Sequence, residues 1–188
     1  MTDLKKVPIH EAADAVITCF RTGNKLLLCG NGGSSADCAH IVGELAKGFT
    51  KKRPLPDHLQ KELKTDKLQM GLPAIDLTAN TALVSAINND LGGDYVYAQQ
   101  VMAYGKPGDV IIGISTSGNS RNVALAIQCA KAIGLKTIGM TGFHGGILKQ
   151  LCDIVLQSDE QQTYLIQEDH LIFYHRFCIM IEEAFYTV

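Results

Sequence analysis

Residues 109–127, DVIIGISTSGNSRNVALAI, pass from an apolar run into a second apolar run through Ser115, Thr116, Ser117, Gly118, Asn119 and Ser120. The first run is short and nearly unbroken, as a parallel strand covered on both faces requires. The second run, from Val123 to Ile127, has helical periodicity. A strand that empties into a helix through a small polar turn predicts one step of a parallel α/β sheet with right-handed crossovers.

The same alternation recurs along the chain. Strand-like runs fall at 25–29, 74–78, 109–115, 136–140 and 153–157. Helical patterns fall at 9–21, 34–47, 82–88, 95–103, 120–133 and 147–151, and a long last one runs from about 161 to 186. The expected fold is α/β, a three-layer sandwich around a five-stranded parallel sheet. Residues 51–72, KKRPLPDHLQKELKTDKLQMGL, fit poorly. They are polar, Pro54 and Pro56 interrupt any helix, and too few apolar residues are present for a second core. They read as a surface excursion from one domain spanning 1–188, with a short surface helix over 57–69 and Lys51-Lys52-Arg53 as a solvated loop.

With 188 residues, 46% hydrophobic and 19% charged, the chain is an ordinary globular domain. A net charge of −2 gives no reason to expect a nucleic-acid surface. No apolar stretch approaches the ~20 residues of a membrane helix. The first residues, MTDLKKVPIH, show no export signal. Cys19, Cys29, Cys38, Cys129, Cys152 and Cys178 form no C-x-x-C pair and read as small core residues in a reducing, cytoplasmic setting.

A second turn, CGNGGSSAD at 29–37, also lies between a strand and a helix. Open α/β sheets bind ligands at the carboxyl ends of their strands. There a helix N-terminus offers unpaired N–H groups, and Ser and Thr add donors without bulk. Two such turns at matching places point to a bound phosphate. The plainer alternative is that Ser34 and Ser120 are helix N-caps and nothing more. Neither a Walker loop nor a G-x-G-x-x-G is present, which favours a sugar phosphate over a nucleotide.

His40 and Glu44 stand at i and i+4 on the helix after the first turn and share a face. The last helix carries Gln167, Glu168, Asp169, His170 and His175. A His and a Glu brought together suit acid–base chemistry or a zinc ion; the alternative is an ordinary helix surface. Gln167 and His175 are about 12 Å apart along a straight helix at 1.5 Å per residue. If both serve one kind of site, two subunits contribute or the helix start is irregular. An oligomer with sites at subunit interfaces is expected.

CGNGGSSAD, HIVGE, INND, GISTSGNS, TGFHGG and LIQEDHLIFYH, in this order, resemble the sugar isomerase (SIS) family, and within it the branch that isomerises seven-carbon sugar phosphates. The likeness runs from about Lys25 to Ile181. It implies a flavodoxin-like sheet, a homotetramer, and conversion of D-sedoheptulose 7-phosphate to D-glycero-D-manno-heptose 7-phosphate for lipopolysaccharide or surface glycans. By motif it puts the phosphate on Ser115, Thr116, Ser117 and Ser120, and the sugar against Asn31, Gly32, Gly33, Glu44, Asn89, Asp90 and Gln167. Glu44 and His175 become the catalytic pair, and Zn2+, in members that bind it, takes the positions of His40, Glu44, Gln167 and His175. Three departures stand out. The first turn begins only about thirty residues in, so the usual leading helix is expected to be short or absent. The excursion at 51–72 is long for the family, and Leu165 replaces an arginine common before I-Q-E. A SIS relative that binds the bacterial replication initiator keeps the phosphate turns but lacks the acid and the second histidine; both stand here, which favours an enzyme. A sugar-phosphate sensor within a regulator would need a DNA-binding segment, and none is evident.

Overall fold

The computed structural model describes residues 2–186. Its five strands, β1 (Leu26–Gly30), β2 (Ala74–Asp76), β3 (Val110–Ile114), β4 (Lys136–Thr141) and β5 (Ile154–Gln157), form one sheet in the order β2-β1-β3-β4-β5, parallel throughout. The register sets Leu28 beside Ile112 and Ile112 beside Ile138. β1 and β3 are buried at every residue, which is why their sequences lack the alternation of a half-exposed strand. The strand order reverses between β1 and β3, and both quoted turns lie at that switch point.

Helices cover both faces. α1 (Ile9–Arg21), α2 (Gly33–Ala46) and α8 (Thr163–Phe185) pack on one side, around Val16, Leu28, Ile41, Ile112 and Phe177. α4 (Thr81–Asp90), α5 (Ala98–Tyr104), α6 (Arg121–Ala132) and the short α7 (Leu148–Leu151) lie on the other, around Leu27, Ile111, Val101 and Ile127. A Cβ at Gly113 would lie 2.8 Å from Val123 Cγ1, so that glycine lets α6 sit directly on β3. Ahead of the first strand stands α1, thirteen residues packed against α8. Among the described residues no helix is long and apolar enough to cross a membrane.

The excursion differs from its expectation in two ways. Its helix, α3, covers only Asp57–Leu63 and stops at Lys64, which takes a left-handed backbone. More important, Arg53 is not solvated but fully buried. Its Nε donates to Glu182 Oε1 at 2.9 Å, Nη1 donates to Leu45 O at 2.6 Å and Nη2 to Glu44 O at 3.0 Å. The guanidinium thereby satisfies carbonyls that the end of α2 leaves unpaired. Glu182 also accepts from the N–H groups of Phe49, Thr50 and Lys51 and from the Thr50 hydroxyl. Burial opposes its charge, yet the bonds from Thr50, Phe49 and Arg53 together hold its pKa down to about 2. The first residues of the excursion are therefore pinned to α8.

Candidate active site

The hydroxyl turn folds inward on itself. Ser115 Oγ lies 2.9 Å from Ser120 Oγ and 3.4 Å from Ser117 Oγ, and Asn119 N–H donates to Ser117 Oγ at 3.1 Å. Gly118 has φ +68, and a Cβ there would stand 2.0 Å from Gly145 O. Only glycine fits this conformation and this approach. Ser120 is the N-cap residue of α6, but its side chain makes no capping hydrogen bond, and Ser34 lies inside α2, behind an N-cap at Gly32. The capping alternative therefore accounts for neither serine. The hydroxyls of Ser115, Ser117 and Ser120 thus cluster at the mouth of β3 beside the start of a helix, a setting that can offer donors to an anion.

The two turns are joined. Asn31 Nδ2 donates to Asn122 Oδ1 and Asn122 Nδ2 donates to Asn31 Oδ1, each at 2.9 Å. Tyr97 OH donates toward Gly30 O at 2.6 Å and Asn31 Oδ1 at 3.0 Å. Burial raises the Tyr97 pKa, so it stays a donor. A cavity of about 390 Å³ opens beside this pair, lined by Asn31, Thr78, Asn88, Tyr97 and Asn122, and another of about 320 Å³ borders Thr116, Ser117 and Asn119. Asn122 and Tyr97 carried no signal in the sequence beyond lying near a motif. Asn89 and Asp90 stand exposed at the end of α4, bonded to each other at 2.8 Å, and it is Asn88 that lines the cavity.

The acid–base residues gather elsewhere. α2 and α8 run parallel, because each follows the carboxyl end of a strand, and residues pair level by level along their seam. Gln167 lies against Gly33, where a Cβ would meet its Nε2 at 2.2 Å. Further along, His40 Nε2 lies 3.1 Å from Glu44 Oε1, and the His175 ring stands 5.1 Å from that of His40. Phe49 flanks His175 at 5.5 Å. Burial first, and the neighbouring His40 second, lower the His175 pKa against the opposing pull of Glu44, which favours the neutral ring near pH 7. α8 is continuous from Thr163, so an irregular helix start does not bring Gln167 to His175.

This arrangement bears on zinc. His40 Nε2 and Glu44 Oε1 have the spacing of two donors on one ion, but Gln167 lies two turns away against Gly33. Among the described residues no three His, Cys, Asp or Glu side chains group closely enough to hold a metal. Within one chain the four residues do not fit around a zinc ion.

Known proteins share this architecture. A family model described as SIS domain matches residues 1–142. The phosphoheptose isomerase of Trichlorobacter lovleyi is 41% identical over 181 residues, which make up 96% of this chain and 84% of that one. A solved phosphoheptose isomerase from Neisseria gonorrhoeae aligns with a TM-score of 0.80 at 35% identity, over 94% of this chain and 85% of that one. Another, from Francisella tularensis, gives 0.81 at 32% identity, over 93% and 85%. With a hydroxyl-rich turn at the switch point, a Glu–His cluster on α2 and α8, and these likenesses over nearly its whole length, the chain belongs to the SIS domain family and, within it, to the phosphoheptose isomerases.

Proposed function

We propose that this isomerase converts D-sedoheptulose 7-phosphate to D-glycero-D-manno-heptose 7-phosphate through an enediol, supplying heptose for lipopolysaccharide or surface glycans. The observation that carries the reading is the meeting of Glu44, His40 and His175 across the seam of α2 and α8. A ketose becomes an aldose when a proton leaves C1 and one arrives at C2. Glu44 takes the C1 proton; the C–H electrons form the C1=C2 bond while O2 gains a proton through His175. Return of a proton from Glu44 to C2, with the O1 proton passing to His175 to replace the one it gave O2, yields the aldehyde and restores both residues. Positioned acid–base groups of this kind contribute roughly 10²–10⁴-fold in rate. Zinc stands outside this scheme, because a ligated Glu44 carboxylate is not free to take the proton.

Ser115, Thr116, Ser117 and Ser120 bind the phosphate, while Asn31, Gly32, Gly33 and Gln167 meet the sugar, joined by Asn89 and Asp90. Gly33 and Glu44 are about 16 Å apart along α2 at 1.5 Å per residue, a span longer than an extended heptulose phosphate from phosphorus to C1. The cradle of one copy and the Glu44 cluster of another therefore make one site, which supports a homo-oligomer, taken as a tetramer. The six free cysteines fit a cytoplasmic setting.

Turnover of sedoheptulose 7-phosphate with and without a chelator tests the reading. The expected result is activity that survives chelation and disappears in Glu44→Gln and His175→Asn, both still binding substrate. Inactivity of the wild type on heptulose phosphates, or near wild-type turnover by either folded variant, overturns it. Light scattering should show a tetramer; a fully active monomer contradicts the shared site.

A further inference from the structure

The Asn31 side chain, which the proposed function sets against the sugar, has most of its hydrogen-bonding capacity taken up by protein. Its partner Asn122 is the second residue of α6, and Asn122 Oδ1 accepts from the Val123 N–H at 2.9 Å. That N–H is one of the donors a helix start leaves without an intrahelical partner. An N–H only donates, so Asn122 must turn its oxygen to that side, and the orientation of the whole pair follows. Asn122 Oδ1 also accepts from Asn31 Nδ2, and Asn122 Nδ2 donates to Asn31 Oδ1. The buried Tyr97, just before α5, brings its hydroxyl to 3.0 Å from the same Asn31 Oδ1 and 2.6 Å from Gly30 O. Both lone pairs of the Asn31 oxygen are thereby engaged. One N–H of Asn31 Nδ2 is spent on Asn122, and the other has no partner among the described residues. Asn31 lines the cavity of about 390 Å³ together with Asn122, Tyr97, Thr78, Ser85 and Asn88.

We infer that Tyr97 and Asn122 are positioning residues for sugar binding: they fill the Asn31 oxygen and one of its N–H groups, and leave the other N–H as a donor to a hydroxyl oxygen of the sugar. The inference rests on the reading of Asn31 as a sugar contact. An amide free to turn over offers an oxygen as readily as an N–H. Held on both sides, it offers only the N–H, and its ordering is complete before the sugar arrives. Tyr97 ties it to the frame, since Gly30 is the last residue of the fully buried β1. Asn122 ties it to the hydroxyl turn, two residues after Ser120. The donor therefore stands at the phosphate end of the substrate, away from C1 and C2. A contact there is made alike in the ground state and the transition state, so its loss acts on KM rather than kcat.

Kinetics with sedoheptulose 7-phosphate, with inorganic phosphate as a competing probe, test the assignment. Tyr97→Phe keeps the ring packing and removes only the hydroxyl. It is expected to raise KM about 2–12-fold, the worth of one neutral hydrogen bond, with kcat unchanged. Inhibition by inorganic phosphate, which has no sugar hydroxyls, should keep its wild-type strength. In an Asn31→Ala background the Tyr97→Phe change should add nothing, because the amide it positions is gone. A wild-type KM in Tyr97→Phe overturns the inference. So does a KM effect that persists at full size without Asn31, or an equal weakening of phosphate inhibition, which is what a merely structural role for Tyr97 would give. Proton–nitrogen NMR of the wild-type side-chain amides, with the Asn31 signals assigned by their loss in Asn31→Ala, supplies a readout that needs no turnover. Sedoheptulose 7-phosphate should shift one of the two Asn31 N–H signals, the one that exchanges faster with water. A wild type that shows this shift but no turnover defeats the proposed reaction and upholds the positioning role, whereas turnover with both signals unmoved defeats the role alone.

Discussion

The seam between α2 and α8 carries two polar clusters built around glutamates, and they are finished differently. At Glu182 the carboxylate takes bonds from Phe49, Thr50, Lys51 and Arg53, and neither it nor Arg53 touches solvent. At Glu44 the carboxylate has His40 and an outward lysine, the His40 ring is partly exposed, and Asp37 Oδ2 nearby has no partner. A closed network in a buried place ties chain segments together, since every group withdrawn from water finds a protein partner. An open network leaves atoms with capacity for something the chain does not supply. Two carboxylates on one seam thus differ in kind: one holds the excursion in place, and the other is the one proposed to meet substrate.

The same chemical change at the two carboxylates should separate these roles. Glu44→Gln keeps shape and most hydrogen bonding but cannot take a proton, so kcat should fall about 10²–10⁴-fold with the melting temperature nearly unchanged. Glu182→Gln should do the reverse. It leaves the Arg53 cation buried without a countercharge, and removal of one member of such a pair costs about 3–5 kcal/mol. Denaturant unfolding should show that loss, while the folded fraction keeps its kcat. A stable Glu182→Gln protein with damaged chemistry would break the comparison.

Acid should sharpen it further. The folded pKa of Glu182 is lowered from 4.5 to about 2, so its stabilising contribution is whole above the unfolded value and is lost as pH falls from there toward 2. His170 adds an earlier step. Burial lowers its pKa from 6.5 to about 4, and its Nε2 bonds Thr141 O while Nδ1 has no partner. The unfolded chain binds that proton first, so stability should begin to fall below pH 6.5 and continue to about 4. Melting temperature measured against pH should show both windows in the wild type, and Glu182→Gln should shrink the lower one. Asp153 and Asp169 still contribute to it, since against the effect of burial their hydrogen bonds hold both below the usual carboxylate range.

A smaller effect is expected at the turn. Gly118→Ala forces a side chain into the left-handed region, at about 1–2 kcal/mol, and against Gly145 O. Phosphate binding should weaken as the cradle shifts, and unchanged inhibition by inorganic phosphate would count against the turn as the anion site.

The strands and most helices are legible in the sequence because parallel strands buried on both faces leave unbroken apolar runs, as at Leu26–Cys29 and Val110–Ile112. The hydroxyl turn is legible from its residue types, and His40 with Glu44 from helical spacing. The closed cluster is not. Lys51-Lys52-Arg53 looks like any exposed basic loop, and what buries Arg53 is a glutamate 129 residues further along the chain. Nor could spacing show that His175 meets His40, since that depends on α2 and α8 lying parallel and in register. Asn122 and Tyr174 are ordinary helix residues, and Tyr97 an ordinary residue just before α5, until the fold sets them against Asn31 and His40.

Isomerisation of sedoheptulose 7-phosphate in deuterium oxide, followed by proton NMR of the product, tests the central claim most directly. Proton transfer through an enediol by the open Glu44 cluster, which water reaches, predicts an aldose carrying deuterium at C2. A product whose C2 hydrogen comes wholly from C1 of the substrate, or no product at all, would contradict it.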